Sequence, residues 1–95
     1  MQFAIRHFMR GRVRLYVPAL SRERALAESV LVWLRSQHGV TGARINYNCA
    51  SLVVEFDPAH EEDFRLLLGH LRLMTLDDLA ALIKMGAREV GRHEP

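Results

Sequence analysis

Apolar and polar residues alternate near the start of the chain, which predicts a strand with one buried face. The apolar positions are Val13, Leu15 and Val17, and the intervening positions hold Arg12, Arg14 and Tyr16. A period of two residues is typical of a half-buried strand. Pro18 ends this segment because proline has no N–H with which to continue a ladder.

Helical spacing replaces the alternation after Pro18. Ser21 stands where an N-cap belongs, and Gly39 supplies a left-handed stop after the last turn. Between them the apolar residues recur every three or four positions, at Leu26, Val30, Trp33 and Leu34. The spacing predicts a first helix that buries these four side chains.

Two further strands are predicted by the segment GARINYNCASLVVEFDP. In the first, Ala43, Ile45 and Tyr47 alternate with polar residues, and in the second, Leu52, Val54 and Phe56 do so. The polar residues 48–51 between them predict a hairpin turn. In the second strand, the outward positions belong to Val53 and Glu55.

The remaining chain predicts two more helices. Asp57 followed by Pro58 is a typical helix start, and the apolar stripe of the second helix is Phe64, Leu67, Leu68 and Leu71. Thr75 and Asp78 resemble a capping box for a third helix that ends near Gly86. Residues 1–86 are therefore interpreted as one domain and residues 87–95 as a flexible tail.

This order of elements predicts an α+β, ferredoxin-like fold, βαββα, with a C-terminal helix or a poorly formed fourth strand. Without a fourth strand, the first predicted strand would be an exposed edge. Exposed edges pair readily with other chains. We therefore expect either a homodimer through that edge or a partner docked on it.

Composition narrows the class of protein. The 95 residues suit one domain, and the net charge is only +2. The single cysteine, Cys49, excludes an internal disulfide and fits a reducing compartment. No apolar run approaches the ~20 residues of a membrane span, and arginines interrupt any signal-peptide core. We expect a cytoplasmic protein, although the chain could be part of a larger membrane protein.

The stretches HFMRGRVRLYVPAL and ARINYNCASLVVEFDP, with HGV between them, resemble the degenerate heavy-metal-associated domains. The matching positions cover roughly residues 5–72 and are His7, Gly11, Arg12, Arg14, Leu15, Gly39, Val40 and residues 51–58. Such domains occur at the N-terminus of metal-transporting P-type ATPases and as small free-standing proteins. The resemblance implies a non-catalytic role in metal or haem homeostasis, as a regulatory or docking module of such a transporter or beside it, or beside an iron-storage system.

This chain departs from the better-known members of that family in one loop. Those members carry Cys-x-x-Cys after the first strand, where two thiolates hold a soft metal ion. Here residues 18–24 contain neither a thiol nor an imidazole. The resemblance therefore implies metal homeostasis without the usual ligands.

Another metal site could form at one end of the predicted fold, where the topology gathers His7, His38, Asp57 and His60. Imidazoles and a carboxylate suit zinc, cobalt, nickel or iron, and a histidine pair can ligate haem. The alternative is that His38 simply complements a helix C-terminus and that His60 is solvated. Cys49 lies at the opposite end as a candidate single ligand or an ordinary turn residue.

The polar side of the predicted sheet carries Arg12, Arg14, Tyr16 and Arg44. One interpretation is a phosphate or nucleic-acid surface with Tyr16 as a stacking ring. The favoured interpretation is a solvated or partner-facing surface whose charges pair with Glu55 and Asp57. Val53 and Glu55 occupy positions where an RNA-binding sheet would have aromatic residues, so we do not expect a nucleic-acid partner.

No sequence motif indicates an enzyme, since a phosphate-binding glycine loop and a nucleophilic triad are both lacking. We expect a non-catalytic module whose partner is a transporter or a storage protein. The alternatives are a nucleic-acid or phosphate-binding module and a dimeric scaffold. Whether a metal binds, and which one, stays open.

Overall fold

The computed structural model describes residues 1–75 together with residues 77, 78, 81 and 84. Four strands and three α-helices make up this part of the chain. In order they are β1 (Ala4–Met9), β2 (Arg12–Tyr16), α1 (Pro18–Arg22), α2 (Arg24–Arg35), β3 (Val40–Asn46), β4 (Ser51–Phe56), a 3₁₀ turn (Pro58–His60) and α3 (Glu61–Leu73).

The strands form one antiparallel sheet in the order β1-β2-β4-β3. The helices cover one face of this sheet, so the fold is α+β and ferredoxin-like, as predicted. Val13 pairs with Val54 and Leu15 with Leu52, and all four side chains are fully buried. Burial of such a side chain contributes about 1.5–3 kcal/mol. These two pairs form the centre of the sheet's contribution to the core.

Strand β1 is an element that the sequence pattern did not predict. It pairs with β2 through a two-residue turn and lies where a ferredoxin-like domain has its final strand. The register shifts between Ile5 and His7, so Arg6 is an extra residue in the strand. Because of this bulge, Ile5 and Phe8 share the core-side face although they are three residues apart.

The prediction of which strand forms the exposed edge is therefore wrong. The first predicted strand, β2, has neighbours on both sides and lies inside the sheet. The edges are β1 and β3, so a homodimer through the edge of β2 has no structural basis.

The sheet is anchored to α3 at its β1 end. Phe3 is buried, and the Arg72 guanidinium lies 4.1 Å from the centre of its ring. Arg72 also donates a hydrogen bond of 3.2 Å to the Phe3 carbonyl oxygen. Arg65 lies over the ring of Phe8 at 4.6 Å. Two arginines of one helix therefore hold the added strand in place.

The predicted first helix is divided in two. Pro18 opens α1 as its first residue, and Glu23 interrupts the helical conformation before α2 begins. Ser21 is therefore not the predicted N-cap; its hydroxyl donates to the Pro18 carbonyl oxygen within α1. The predicted apolar face is largely correct, since Val30 and Leu34 are buried and Trp33 is partly buried.

Two glycines permit tight connections at the same end of the sheet. Gly11, in the β1–β2 turn, has φ +81°, and its carbonyl oxygen accepts from the Phe56 N–H. Gly39 has φ +86°, which confirms the predicted left-handed stop. A Cβ on Gly39 would lie 2.9 Å from the Cβ of His60. Only glycine fits there without strain.

Asp57 caps the turn before α3, as predicted, because its carboxylate accepts from the Ala59 N–H at 3.0 Å. Beyond α3, Thr75 and Asp78 exchange hydrogen bonds of 3.1 Å, which confirms the predicted capping pair. The pKa of Asp78 is lowered mainly by the hydrogen bond that its carboxylate accepts from the Thr75 backbone N–H. The hydrogen bond with the Thr75 side chain lowers it further. Most of the predicted third helix and the predicted tail 87–95 lie outside the described residues.

None of the helices in the described ranges has the length and apolar character that a membrane span needs.

We expect Gly39→Ala to destabilise the protein by about 1–3 kcal/mol, because the substitution combines a left-handed backbone with a steric clash. Urea unfolding followed by circular dichroism measures this change. Gly69→Ala is the matched control: a Cβ there meets no atom within 4 Å, and Gly69 lies inside α3. The control should stabilise by about 0.5–1 kcal/mol. Equal urea midpoints for the two variants would contradict the left-handed conformation and the close contact with His60 that the structure gives to Gly39.

Candidate functional site

The outer face of the sheet, opposite the helices, carries charged and polar side chains of the strands. The register places Arg12 opposite Glu55, Arg14 opposite Val53, and Arg44 on the other side of Val53. Tyr16 lies at the end of β2 on the same face. The four residues proposed from sequence as a partner or phosphate surface (Arg12, Arg14, Tyr16 and Arg44) are thus brought together on one side of the sheet.

The arginines of this face differ in their partners. Arg44 forms an ion pair of 3.4 Å with Glu55, and both side chains are about half exposed. Such a pair contributes about 0–1 kcal/mol. Among the residues that the structure describes, Arg12 and Arg14 form no ion pair. The predicted pairing with Asp57 is not formed, since that carboxylate caps the 3₁₀ turn.

Val53 is nearly buried although its side chain points to the outer face. Its cross-strand neighbours are Arg14 and Arg44. The long aliphatic stems of arginines can cover an apolar neighbour while the guanidinium groups stay in water. The face is therefore a layer of arginine stems with charged ends directed to solvent.

Strand β1 adds residues to this face that the sequence analysis did not place there. His7 and Met9 lie opposite Arg14 and Arg12. Together these four side chains line an open depression of about 350 Å³. Arg6 adds a further charge beside Tyr16, with its guanidinium 4.9 Å from the ring centre. The missed residues could have been found only by recognising a strand interrupted by a bulge.

Tyr16 is less suited to nucleic-acid stacking than the sequence suggests. One face of its ring is occupied by Arg6, and its relative exposure is 36%. Bases stack on aromatic rings whose faces are open. This contact weakens the phosphate and nucleic-acid alternative.

Three of the four predicted metal ligands lie at one end of the domain. The rings of His38 and His60 are in edge-to-face contact, 4.5 Å between centres. The Asp57 N–H donates to the Gly39 carbonyl oxygen at 2.7 Å, which draws both connections together. The carboxylate closest to His60 is that of Asp63, with 3.5 Å between His60 Nδ1 and Asp63 Oδ2.

His7 does not join this group, and the predicted four-residue cluster is not assembled. It is exposed in the middle of β1 and faces Arg14 on the outer side of the sheet. The prediction placed His7 at the start of the first strand, whereas it belongs to an additional strand that runs in the opposite direction. Within the described ranges, no group of three His, Cys, Asp or Glu side chains is arranged to hold a metal ion.

Cys49 is exposed in the β3–β4 turn. Its thiol lies 3.3 Å from the Ser51 hydroxyl and 3.9 Å from the Asn46 carbonyl oxygen. These contacts account for the residue as part of the turn. They bring no second thiol or imidazole to it within the described part of the chain.

The turn that carries two cysteines in the metal-binding members of the resembled family is helical here. Residues 18–22 form α1, and Leu20 is buried in the core. Close by, Tyr47 donates a hydrogen bond of 2.8 Å to Glu28, which raises the pKa of Tyr47. Arg24 lies over the same ring at 4.3 Å. Residues 18–22 thus contribute a buried side chain to the core.

Fold and surface together define a small α+β domain with a helical layer on one sheet face and an open, basic second face. The family model of heavy metal associated domain 2 matches residues 1–89. The chain belongs to this family of heavy-metal-associated domains. No curated protein and no solved structure showed significant similarity to it. Membership associates the protein with the handling of heavy metals.

We expect His7→Ala to leave any zinc-induced change in melting temperature as it is in the unmodified protein, because His7 is remote from the histidine pair. His38→Ala/His60→Ala should remove such a change, since it deletes both neighbouring imidazoles. Differential scanning fluorimetry with and without zinc measures both. A zinc response that depends on His7 would show that the outer face, and not the histidine pair, receives the ion.

Proposed function

We propose that this protein is a non-catalytic docking module in metal handling, which recognises a negatively charged surface of a metal-transporting or metal-storing partner. The observation that carries the proposal is the outer sheet face, where Arg12 and Arg14 form no ion pair with a described residue, although Glu55 is the cross-strand neighbour of Arg12. Family membership supplies the metal-related context.

The loop after β2 supports docking over ion transfer. Carriage of a soft metal ion needs thiolates or other soft ligands. Residues 18–24 offer none, and α1 fills their place with a buried leucine. The domain keeps the fold of its family but lacks ligands in this loop. Its most distinctive chemistry is therefore on the outer face of the sheet, which carries the arginines.

The charge arrangement on the outer face supports an acidic partner. Arginine side chains without partners attract carboxylates and form bidentate hydrogen bonds with them. Clustered like charges also accelerate the approach of an oppositely charged protein. The depression lined by His7, Met9, Arg12 and Arg14 gives such a partner apolar contact beside the charges.

A non-catalytic role agrees with the interior of the domain. Its core is apolar, and the buried residues that the structure describes include no polar or charged side chain. Enzyme sites depend on titratable groups whose environment shifts their pKa. The two pKa shifts described above arise at exposed residues from local hydrogen bonds. These features of the described residues support a binding role in this proposal.

The proposed setting is the cytoplasm, beside or within a metal-transporting P-type ATPase or an iron-storage assembly. A docking module there would adjust transport or storage without holding the ion itself.

Replacing Arg12 and Arg14 by glutamine should abolish docking while leaving the fold intact, because both side chains are exposed. In cells that depend on this protein, we expect the double variant to reproduce the change in cellular metal content caused by deleting the gene. Inductively coupled plasma mass spectrometry of whole cells measures this content. Arg22→Gln, at an exposed arginine of α1, should restore the normal content and is the matched control.

Two results would contradict this proposal. The first is full complementation by the Arg12→Gln/Arg14→Gln variant. The second is binding of single-stranded RNA, measured by fluorescence anisotropy, with an affinity that falls steeply as the salt concentration rises, because salt weakens binding that depends on phosphate contacts. That outcome would favour the nucleic-acid alternative.

A further inference from the structure

The two edges of the sheet are not equally available for pairing. At the β3 edge, the Ala43 carbonyl oxygen already accepts hydrogen bonds from Arg35, at 2.7 Å and 3.2 Å. The β1 edge has β2 as its one neighbour in the described sheet. An edge strand presents unpaired N–H and C=O groups that an extended segment can use.

Side chains along β1 add apolar surface to this edge. Ile5 and Met9 are each 48% exposed, on the core-side and outer faces respectively. Above the core-side face, Arg65 and Arg72 lean onto Phe8 and Phe3. The strand is therefore held firmly from one side while its edge and two large apolar side chains stay accessible.

The charges around β1 indicate which kind of partner fits this edge. Arg6 lies in the strand, Arg10 in the following turn, and Arg12 and Arg14 on β2. None of the four forms an ion pair with a described residue. A second copy paired along β1 would bring two such sets together, which repulsion disfavours. A segment carrying carboxylates would instead neutralise them.

The bulge at Arg6 argues in the same direction. Bulges bend a strand and protect an edge from pairing with another long, flat strand. A short flexible segment can follow the bend, whereas the same bend in two copies prevents a regular ladder between them. The geometry therefore favours a peptide over a dimer.

We propose that the β1 edge binds an extended acidic segment of the partner by strand addition, as a fifth strand of the sheet. This inference rests on the proposed docking function and specifies how docking takes place. Alternate side chains of the segment would meet the two faces of the sheet. Its carboxylates would lie on the outer face beside His7 and Met9, one strand away from Arg14 and Arg12, and its apolar residues would lie beside Ile5.

The test uses the full chain and an eight-residue peptide that alternates glutamate and valine, with both ends blocked. We expect isothermal titration to show binding. The fully N-methylated peptide keeps every side chain and charge but has no N–H to pair, so it should bind about tenfold more weakly or worse. A glutamine–valine peptide controls for charge and should also bind weakly.

Amide hydrogen exchange by NMR locates the peptide. We expect the exchange of some amides in residues 4–9 to slow at least tenfold on binding, while amides of residues 40–46 are unaffected. Neutralising Arg12 and Arg14 with glutamine should weaken the glutamate–valine peptide and leave the fold unchanged by circular dichroism.

Each other outcome overturns the inference in a distinguishable way. Equal affinity for the methylated and unmethylated peptides, with loss in the Arg12→Gln/Arg14→Gln variant, would leave face docking and exclude strand addition. Absence of binding by either peptide would reject the edge as an acidic-strand site, while the cellular test above still decides the proposed function. A concentration-dependent dimer in sedimentation that protects the β1 amides would make a second copy the occupant.

Discussion

The structure depends on one constraint: within the described residues the helices cover one face of the sheet, so every strand must divide its residues between core and solvent. Val13, Leu15, Leu52 and Val54 have no exposed surface, and each is flanked in sequence by residues that face outward. A shift of one residue would bury the arginines and expose the valines. The position of the basic side chains on the outer face therefore follows from the packing of the core. A partner could bind to that face without any change in the core.

The added strand changes what this scaffold can do. A ferredoxin-like sheet completed from its C-terminus would leave the chain after α3 committed to the sheet. Here β1 takes that position from the N-terminal side, and Arg72 joins the start of β1 to the end of α3. Directly after α3, Thr75 and Asp78 form their reciprocal capping pair. This end of the sheet therefore has its edge at β1, whereas the sequence analysis predicted an edge at β2.

The predictable part of the molecule was the part in which one local pattern decides the structure. The alternation within β2 and within β4, the cap at Asp57 and the left-handed Gly39 each follow from residues within a few positions of one another. Strand β1 was missed because the extra residue Arg6 breaks the period of two, leaving no run of alternation long enough to recognise. The start of α1 was misplaced because Pro18 both ends a strand and opens a helix, and only packing of Leu20 shows the second role.

The candidate site shows the same division between local and long-range information. The shared face of Arg12, Arg14 and Arg44 follows from strand alternation once the pairing is known. The metal cluster failed because it required an exact position for His7, which depends on the direction of a strand that no pattern revealed. What survives is a pair of imidazoles beside one carboxylate. Residues 18–24 lack the two cysteines that the metal-binding members of the family carry there. A domain that keeps its family's scaffold but not its ligand loop has its remaining distinctive chemistry on the sheet, and there the unpaired arginines and the open edge lie side by side. In the strand addition that we propose, charge would attract the partner segment and main-chain pairing would set its register.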